Sequence, residues 1–401
     1  MRYLTDELPG TGGRTKVRPE DFRVTELPLY EPAGAGEHTY LFIEKVGLGT
    51  LEAADRIAHA LGRPRRAVGL AGLKDSRAVT RQWISIQGVD PRRAERLHAP
   101  GVKILNVSRH RNKLKIGHLA GNRFEIRVRD CDAGALRKAQ AVLEVLSRRG
   151  PPNAFDAQRF GRRGDNHHLG RALVLGEHQA FCDRFLGGPA DADSPRLREA
   201  RRRYDAGNLP GARKRFAGQR DHLRVLRALE RARDPARATR ALPKQLARLF
   251  ISAYQSHLFN QVLERRLDGL DRVEAGDLAY IHPQRGRGGA VFLVERPDHE
   301  QPRADRFEIS PSGPLVGHRV SLAAGRPGDI ERDVLAANHV APAHFERVRA
   351  LRLRGGRRPL RAPLTEVSVR PIEGGDLLLA FTLPPGAYAT IVVAEVTKSE
   401  S

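Results

Sequence analysis

The chain has 401 residues, 40% of them hydrophobic and 5% aromatic, which suits two or three folded domains at roughly 150 residues each and excludes a disordered chain. Lys and Arg number 70 against 47 Asp and Glu, a net charge of +23 that needs a polyanionic partner or a strong solubility reason. Cys131 and Cys182 lack a CxxC spacing, which excludes a disulfide scaffold and suits a reducing, cytoplasmic compartment.

No apolar run approaches the roughly 20 residues a membrane helix needs. Asp6 and Glu7 stand where an export signal would need its apolar stretch. Between Pro19 and Val46 the apolar residues alternate (Phe22, Val24; Tyr40, Phe42) around a turn-rich loop at 31–36, predicting two strands. Residues 50–61 carry helical spacing (Leu51, Ala54, Ile57, Ala58, Leu61) behind Thr50 as N-cap, with Gly62 and Pro64 as the stop. Strands follow at 67–70, 82–87, 104–110 and 123–129, then a helix at 132–149 ended by Gly150.

Residues 196–240 read as short helices with 15 basic and 5 acidic side chains, a local excess of +10. An apolar face of Leu246, Leu249, Phe250, Ala253, Leu258 and Val262 predicts a helix over 244–267. Residues 275–328 read as irregular with short strands, and β patterns return at 365–371, 376–383 and 389–396. Strands at both ends around a basic helical block predict one sheet domain made from two chain segments, interrupted by an insertion. Two independent β domains are the alternative.

The most informative run is Gly72-x-Lys74-Asp75-x-x-Ala78-x-Thr80-x-Gln82, a loop leading into a predicted strand. It is not a phosphate loop, because Leu73 separates Gly72 from Lys74 and no helix follows. Asp75 stands in sequence among Lys74, Arg77 and Arg81. An anionic carboxylate in such surroundings suits a nucleophile or a charge stabiliser better than a proton donor. A surface ion pair is the plainer reading of the same pattern. The adjacent pair His167-His168 does not converge on one helix face, and with no HExxH or paired cysteines a metal site is not expected.

This run resembles the signature of the TruD family of tRNA pseudouridine synthases. Five further blocks follow the family's order: Lys16-Val-Arg-Pro-Glu-Asp-Phe22-x-Val-x-Glu26, Arg109-His110-x-x-Lys113-Leu-Lys115, Pro152-Asn153-x-Phe155-x-x-Gln158-Arg159-Phe160-Gly161, Ser252-Ala-x-Gln-Ser-x-Leu-Phe-Asn260 and Leu383-Pro-x-Gly-x-Tyr388-Ala-Thr390. The family usually writes Asn-Tyr-Phe-Gly where this chain has Asn153-Ala154-Phe155-Asp156, so a ring is absent and aspartate replaces glycine. A left-handed turn there would tolerate aspartate better than most residues. The helix with Ser252 and Asn260 reads most simply as a packing element joining the insertion to the core. The rest of 170–354 matches weakly.

The resemblance implies an α+β fold. A mixed, largely antiparallel pseudouridine-synthase sheet with flanking helices would be assembled from 1–170 and 355–401, and an α+β TRUD domain inserted at 171–354. It implies an isomerase that converts uridine in tRNA, uridine 13 of the D-arm, to pseudouridine, without metal, nucleotide or redox cofactor. Asp75 would be the essential aspartate. Phe22, Asn153 and Tyr388 would line the pocket of a flipped uracil, a placement that suits an aromatic wall with an amide anchor. Lys16, Arg77, Arg81, His110, Lys113 and Lys115 would meet phosphates, or else form a solvated basic face. A tRNA partner, a monomer and no membrane or protein partner are expected. The alternatives are the same isomerisation on another RNA site, or a non-catalytic RNA-binding or chaperone protein.

Overall fold

The computed structural model describes residues 2–283 and 289–399. The chain forms two compact units, one of Arg2–Asn153 and the chain from Arg361, the other of Ala154–Ile281 and Ala290–Leu360.

The first unit is built on a mixed sheet. Its strands are β1 (Phe22–Pro28), β2 (His38–Val46), β3 (Val68–Leu70), β4 (Val79–Gln87), β5 (Val102–His110), β6 (Leu119–Val128), β7 (Thr365–Pro371) and β8 (Leu377–Leu383). They lie in the order β7-β8-β6-β1-β4-β2-β5, with β3 beside the second half of β4. β1 and β4 run parallel, and the other pairs among these strands are antiparallel. The strands from Thr365 onward therefore join the sheet that carries Phe22 and Trp83, as expected from the sequence.

Register decides which side chains share a face. Val24 pairs with Thr80, Thr80 with Lys45, and Val24 with Phe124, so with a period of two one face carries Phe22, Val24, Glu26, Thr80, Gln82, Ile43 and Lys45. At one end of that face α1 (Thr50–Ala60) covers Leu41, Ile43, Ile84 and Ile86. At the other, α2 (Ala135–Arg149) and α3 (Ala389–Thr397) cover Phe22, Val24, Phe124, Ile126, Leu379 and Phe381. Each such buried side chain contributes roughly 1.5–3 kcal/mol. Between the two apolar patches lies a buried polar strip of Glu26, Lys45, Thr80 and Gln82.

Three expectations need correction. Residues 389–396, read as a strand from Ile391-Val392-Val393, form the helix α3. Its buried Ala389, Val392, Val393 and Val396 stand at i, i+3, i+4 and i+7, so helical period overrides β-branched propensity. Thr50 is not the N-cap of α1; Gly49 is, and the Thr50 hydroxyl is used elsewhere. Within the stretch read as irregular, Pro297–Asp305 is a helix that begins with proline in its first turn.

The second unit packs the helices His178–Leu186, Pro195–Asp205, Leu209–Arg215, Arg220–Ala232 and Pro235–Arg240 around Phe181, Phe185, Phe216, Val225 and Leu226. Their starts follow capping chemistry. Asn208 and Asp234 accept from Gly211 N–H at 2.9 Å and Ala236 N–H at 2.8 Å, each with proline in the first turn. The long helix Lys244–Arg265 follows, then a small sheet of Leu278–Ile281, Val291–Leu293 and Ile309–Ser310.

Candidate active site

The segment between β3 and β4 carries Asp75. β3 pairs with the far half of β4, so the chain has to return across the polar strip to enter β4 at Val79. Three buried groups hold it there. The Lys45 amine, fully buried, donates to the Asp75 carbonyl at 3.0 Å and to the Leu48 carbonyl at 2.5 Å. The Thr50 hydroxyl accepts from Lys74 N–H at 2.8 Å and donates to Gln82 Oε1 at 3.0 Å. Lys74 Nζ reaches Glu26 Oε2 at 2.8 Å and Asn122 Oδ1 at 2.6 Å. Gly72 leaves room for that ion pair, because a Cβ there would stand 3.2 Å from Lys74 Nζ and 3.4 Å from Glu26 Oε2.

The Asp75 side chain remains 35% exposed on this fixed main chain. Its Oδ1 accepts from Arg77 N–H at 3.2 Å, and Lys16 Nζ lies 3.6 Å from its Oδ2. Lys16 adopts a left-handed conformation, φ 56°, uncommon for a residue with a side chain. Its ammonium also sits over the Phe22 ring, 4.6 Å from the centroid, an arrangement favoured by the ring quadrupole. The cations around Asp75 are therefore Lys16 and Lys45, rather than the sequence neighbours Lys74 and Arg81, whose charges are used on Glu26 and Glu44.

Burial sets the protonation behaviour of two groups beneath the loop. It pushes the Lys45 ammonium down to about 8, against the attraction of Asp75. It also raises the Glu26 carboxyl above its usual range, with Lys74 opposing.

Of the residues singled out in the sequence, Lys16, Phe22 and Asp75 are brought together. Phe22 is buried and packs edge-on against Phe124 at 6.1 Å. Tyr388, half-buried, caps the start of α3, five residues beyond Leu383. Leu383 pairs with Asn122, the residue that accepts from Lys74. Asn153 is buried at the end of the unit's first segment.

Arg81 and His110 lie elsewhere on the sheet, and Lys113 in the loop between β5 and β6. Alternation along β4 puts Arg81 on the face opposite Thr80 and Gln82, 2.8 Å from Glu44. His110 pairs with His38, seven residues along β2 from Lys45 and so about 23 Å away. Its ring stacks on Tyr30 and its Nδ1 accepts from Ala33 N–H. The Lys113 amine donates to the Arg66 carbonyl.

Lys45 escaped the sequence reading, although a signal existed: it continues the inward parity of Leu41 and Ile43, and a charge at that parity has to be buried. Asp156, expected to occupy a left-handed turn, has φ −73° and ψ 162°, extended backbone that needs no glycine. The Asn260 side chain instead fixes the segment before it, accepting from Phe155 N–H at 2.9 Å and donating to Phe155 O at 2.8 Å. Arg159 is held on the same helix by Ser252 and Ser256.

A family model described as tRNA pseudouridine synthase D (TruD) matches residues 1–396. A protein of Geobacter sulfurreducens named tRNA pseudouridine synthase D is 47% identical over 401 residues, covering 99% of this chain and 97% of its own. One of the same name from Anaeromyxobacter dehalogenans is 41% identical over 402 residues, covering 100% and 97%. The crystal structure of a putative tRNA pseudouridine synthase D from Methanosarcina mazei superposes with a TM-score of 0.85 at 26% identity, covering 100% of this chain and 96% of that one.

Proposed function

Since this chain belongs to the TruD family of tRNA pseudouridine synthases, an isomerase family, we propose that it acts on uridine 13 in the D-arm of tRNA with Asp75 as its essential carboxylate. In that reaction the bond from ribose C1′ to uracil N1 breaks and a bond from C1′ to C5 forms. C5 loses a proton and N1 gains one, so substrate and product are isomers. The observation that carries the reading is the exposed Asp75 carboxylate, on a main chain fixed by Lys45 and Thr50 and with Lys16 beside it. Negative charge held there meets the positive charge that develops at C1′, and no reorganisation is needed at the moment of reaction.

A stacked uridine has to leave its helix to reach this carboxylate, at a cost of a few kcal/mol. We assign Phe22, Asn153 and Tyr388 to the flipped base. Lys16 acts as the cation of the reacting nucleotide. Arg81, His110 and Lys113 act as backbone contacts away from it, since Arg81 lies on the other face of the sheet, His110 at a strand end distant from the polar strip, and Lys113 in the loop after β5, tied to the Arg66 carbonyl.

Carbodiimide mapping of tRNA from cells with and without this gene tests the site. A stop at position 13 that disappears with the gene and is not restored by Asp75→Asn is the expected result. A stop lost at another position would instead support the same chemistry on a different RNA site.

A further inference from the structure

The helix Arg220–Ala232 separates its residues sharply. Val225 and Leu226 are buried in the core of the second unit, with Leu223 and Leu229 packed against it. Arg220, Arg224, Arg227 and Arg231 are all exposed. Their spacings of four, three and four residues set them in one stripe about 16 Å long. Arg213 comes from the preceding helix and lies 3.3 Å from Glu230, and Arg233 follows the stripe with φ 49°. These six arginines and the single carboxylate of Glu230 line a groove of about 1050 Å³.

The buried side chains of Arg201, Arg266 and Arg357 are paired with Asp193, Asp277 and Glu331. In this groove, among the described residues, Arg220, Arg224, Arg227, Arg231 and Arg233 form no ion pair. Like charges at these spacings repel one another, so the helix bears a cost that a bound polyanion would offset. The remaining lining includes Leu209, Pro210 and Ala228, with no aromatic ring for stacking and no amide for reading a base edge. Such a surface suits phosphates rather than bases.

We infer that this groove, lying wholly within the second unit, binds the phosphate backbone of the RNA substrate as a contact additional to the Asp75 site. The inference rests on the reading of RNA as substrate. Phosphate charge complements the stripe, and the side chains are spaced to follow a strand rather than to enclose one small anion.

The test is filter binding of a tRNA transcript across a salt series, comparing the full-length protein with Arg224→Gln/Arg227→Gln/Arg231→Gln. Three lost phosphate contacts should make the log–log salt slope shallower by about two to three and weaken binding at moderate salt at least about tenfold. The triple lysine variant at the same positions keeps the charge and should keep most of the slope. A control, Arg306→Gln/Arg326→Gln/Arg332→Gln, removes equal charge from arginines already paired with Glu308, Glu274 and Asp329 and should have a much smaller effect.

Unchanged affinity and slope in the glutamine triple would overturn the inference. So would an equal effect in the control, or a lysine triple as weak as the glutamine one. Loss of binding to a polyglutamate probe with RNA affinity intact would overturn it in favour of an acidic protein partner. Pseudouridine formation by the unaltered enzyme on the same transcript is read separately: its absence would sink the proposed reaction while leaving the binding comparison standing.

Discussion

Around Asp75, Lys16, Lys45 and Lys74 each have a partner: a carboxylate and a ring, two carbonyls, and a carboxylate with an amide. Along the helix Arg220–Ala232 the arginines of the stripe point to solvent without an ion pair among the described residues. Both regions are basic in sequence, yet in the first the cations shape the backbone that presents one carboxylate, and in the second they are left available. Net charge alone does not separate these uses. Burial and pairing do, and each prediction below breaks one side of the contrast.

The largest expected effect is at the carboxylate itself. Asp75→Asn should reduce single-turnover pseudouridine formation to background while tRNA affinity stays within a few fold, since side-chain shape is kept and one charge changes against +23. Conversion near the wild-type rate would reject Asp75 as the essential group.

Beneath it, Lys74→Met leaves Glu26 buried without its cation. Breaking such a pair from one side costs about 3–5 kcal/mol, whereas removing both charges together is often close to neutral. Denaturant unfolding should therefore show a large loss for Lys74→Met and substantial recovery in Lys74→Met/Glu26→Leu. If the double variant is as unstable as the single one, the pair is not the main source of the loop's stability.

Lys45 adds a pH signature. Its ammonium titrates near 8 in the folded protein and near 10.4 unfolded. Between those values the unfolded chain binds more protons, so this group contributes stability that is complete above the unfolded value and is lost as pH falls through about 8. Relative to Lys45→Met, wild-type stability should rise by about 2 kcal/mol between roughly pH 7.5 and 10. A constant difference across that range would mean that Lys45 is not buried as a titrating amine.

The sequence made the loop legible and much of its support illegible. Asp75 and the alternation of β1 and β2 could be read because a motif and a period of two are local. The partners of Lys74 could not be read, since Glu26 and Asn122 lie 48 residues away from it in each direction along the chain and meet only through sheet register. A local rule makes Thr50 a helix cap, yet its hydroxyl serves Lys74 and Gln82 across the strip. α3 reads as a strand in the sequence because Ile391-Val392-Val393 has strand composition, while burial follows helical spacing. The basic excess of 196–240 was plain, but which arginines are structural was not.

Arg201 and Arg224 make that last distinction measurable, with the smallest effects. In sequence Arg201, Arg202 and Arg203 form one cationic cluster suited to RNA. The structure sets Arg201 apart: it is buried, lies 3.2 Å from Asp193, and donates to the carbonyls of Phe185 at 2.9 Å and Gly187 at 2.8 Å. Arg203 pairs with Glu199, and Arg202 is exposed. Arg201→Gln should therefore destabilise the second unit by about 1–3 kcal/mol, the cost of leaving buried acceptors unpaired. Arg224→Gln should shift stability by no more than about 0.5 kcal/mol, as for other exposed positions, while contributing its share of the salt slope. Thermal melts and salt titrations of the two single variants decide the matter: Arg201 should move the melt, and Arg224 the slope. The reverse pattern would mean that burial does not sort structural arginines from RNA-binding ones in this protein.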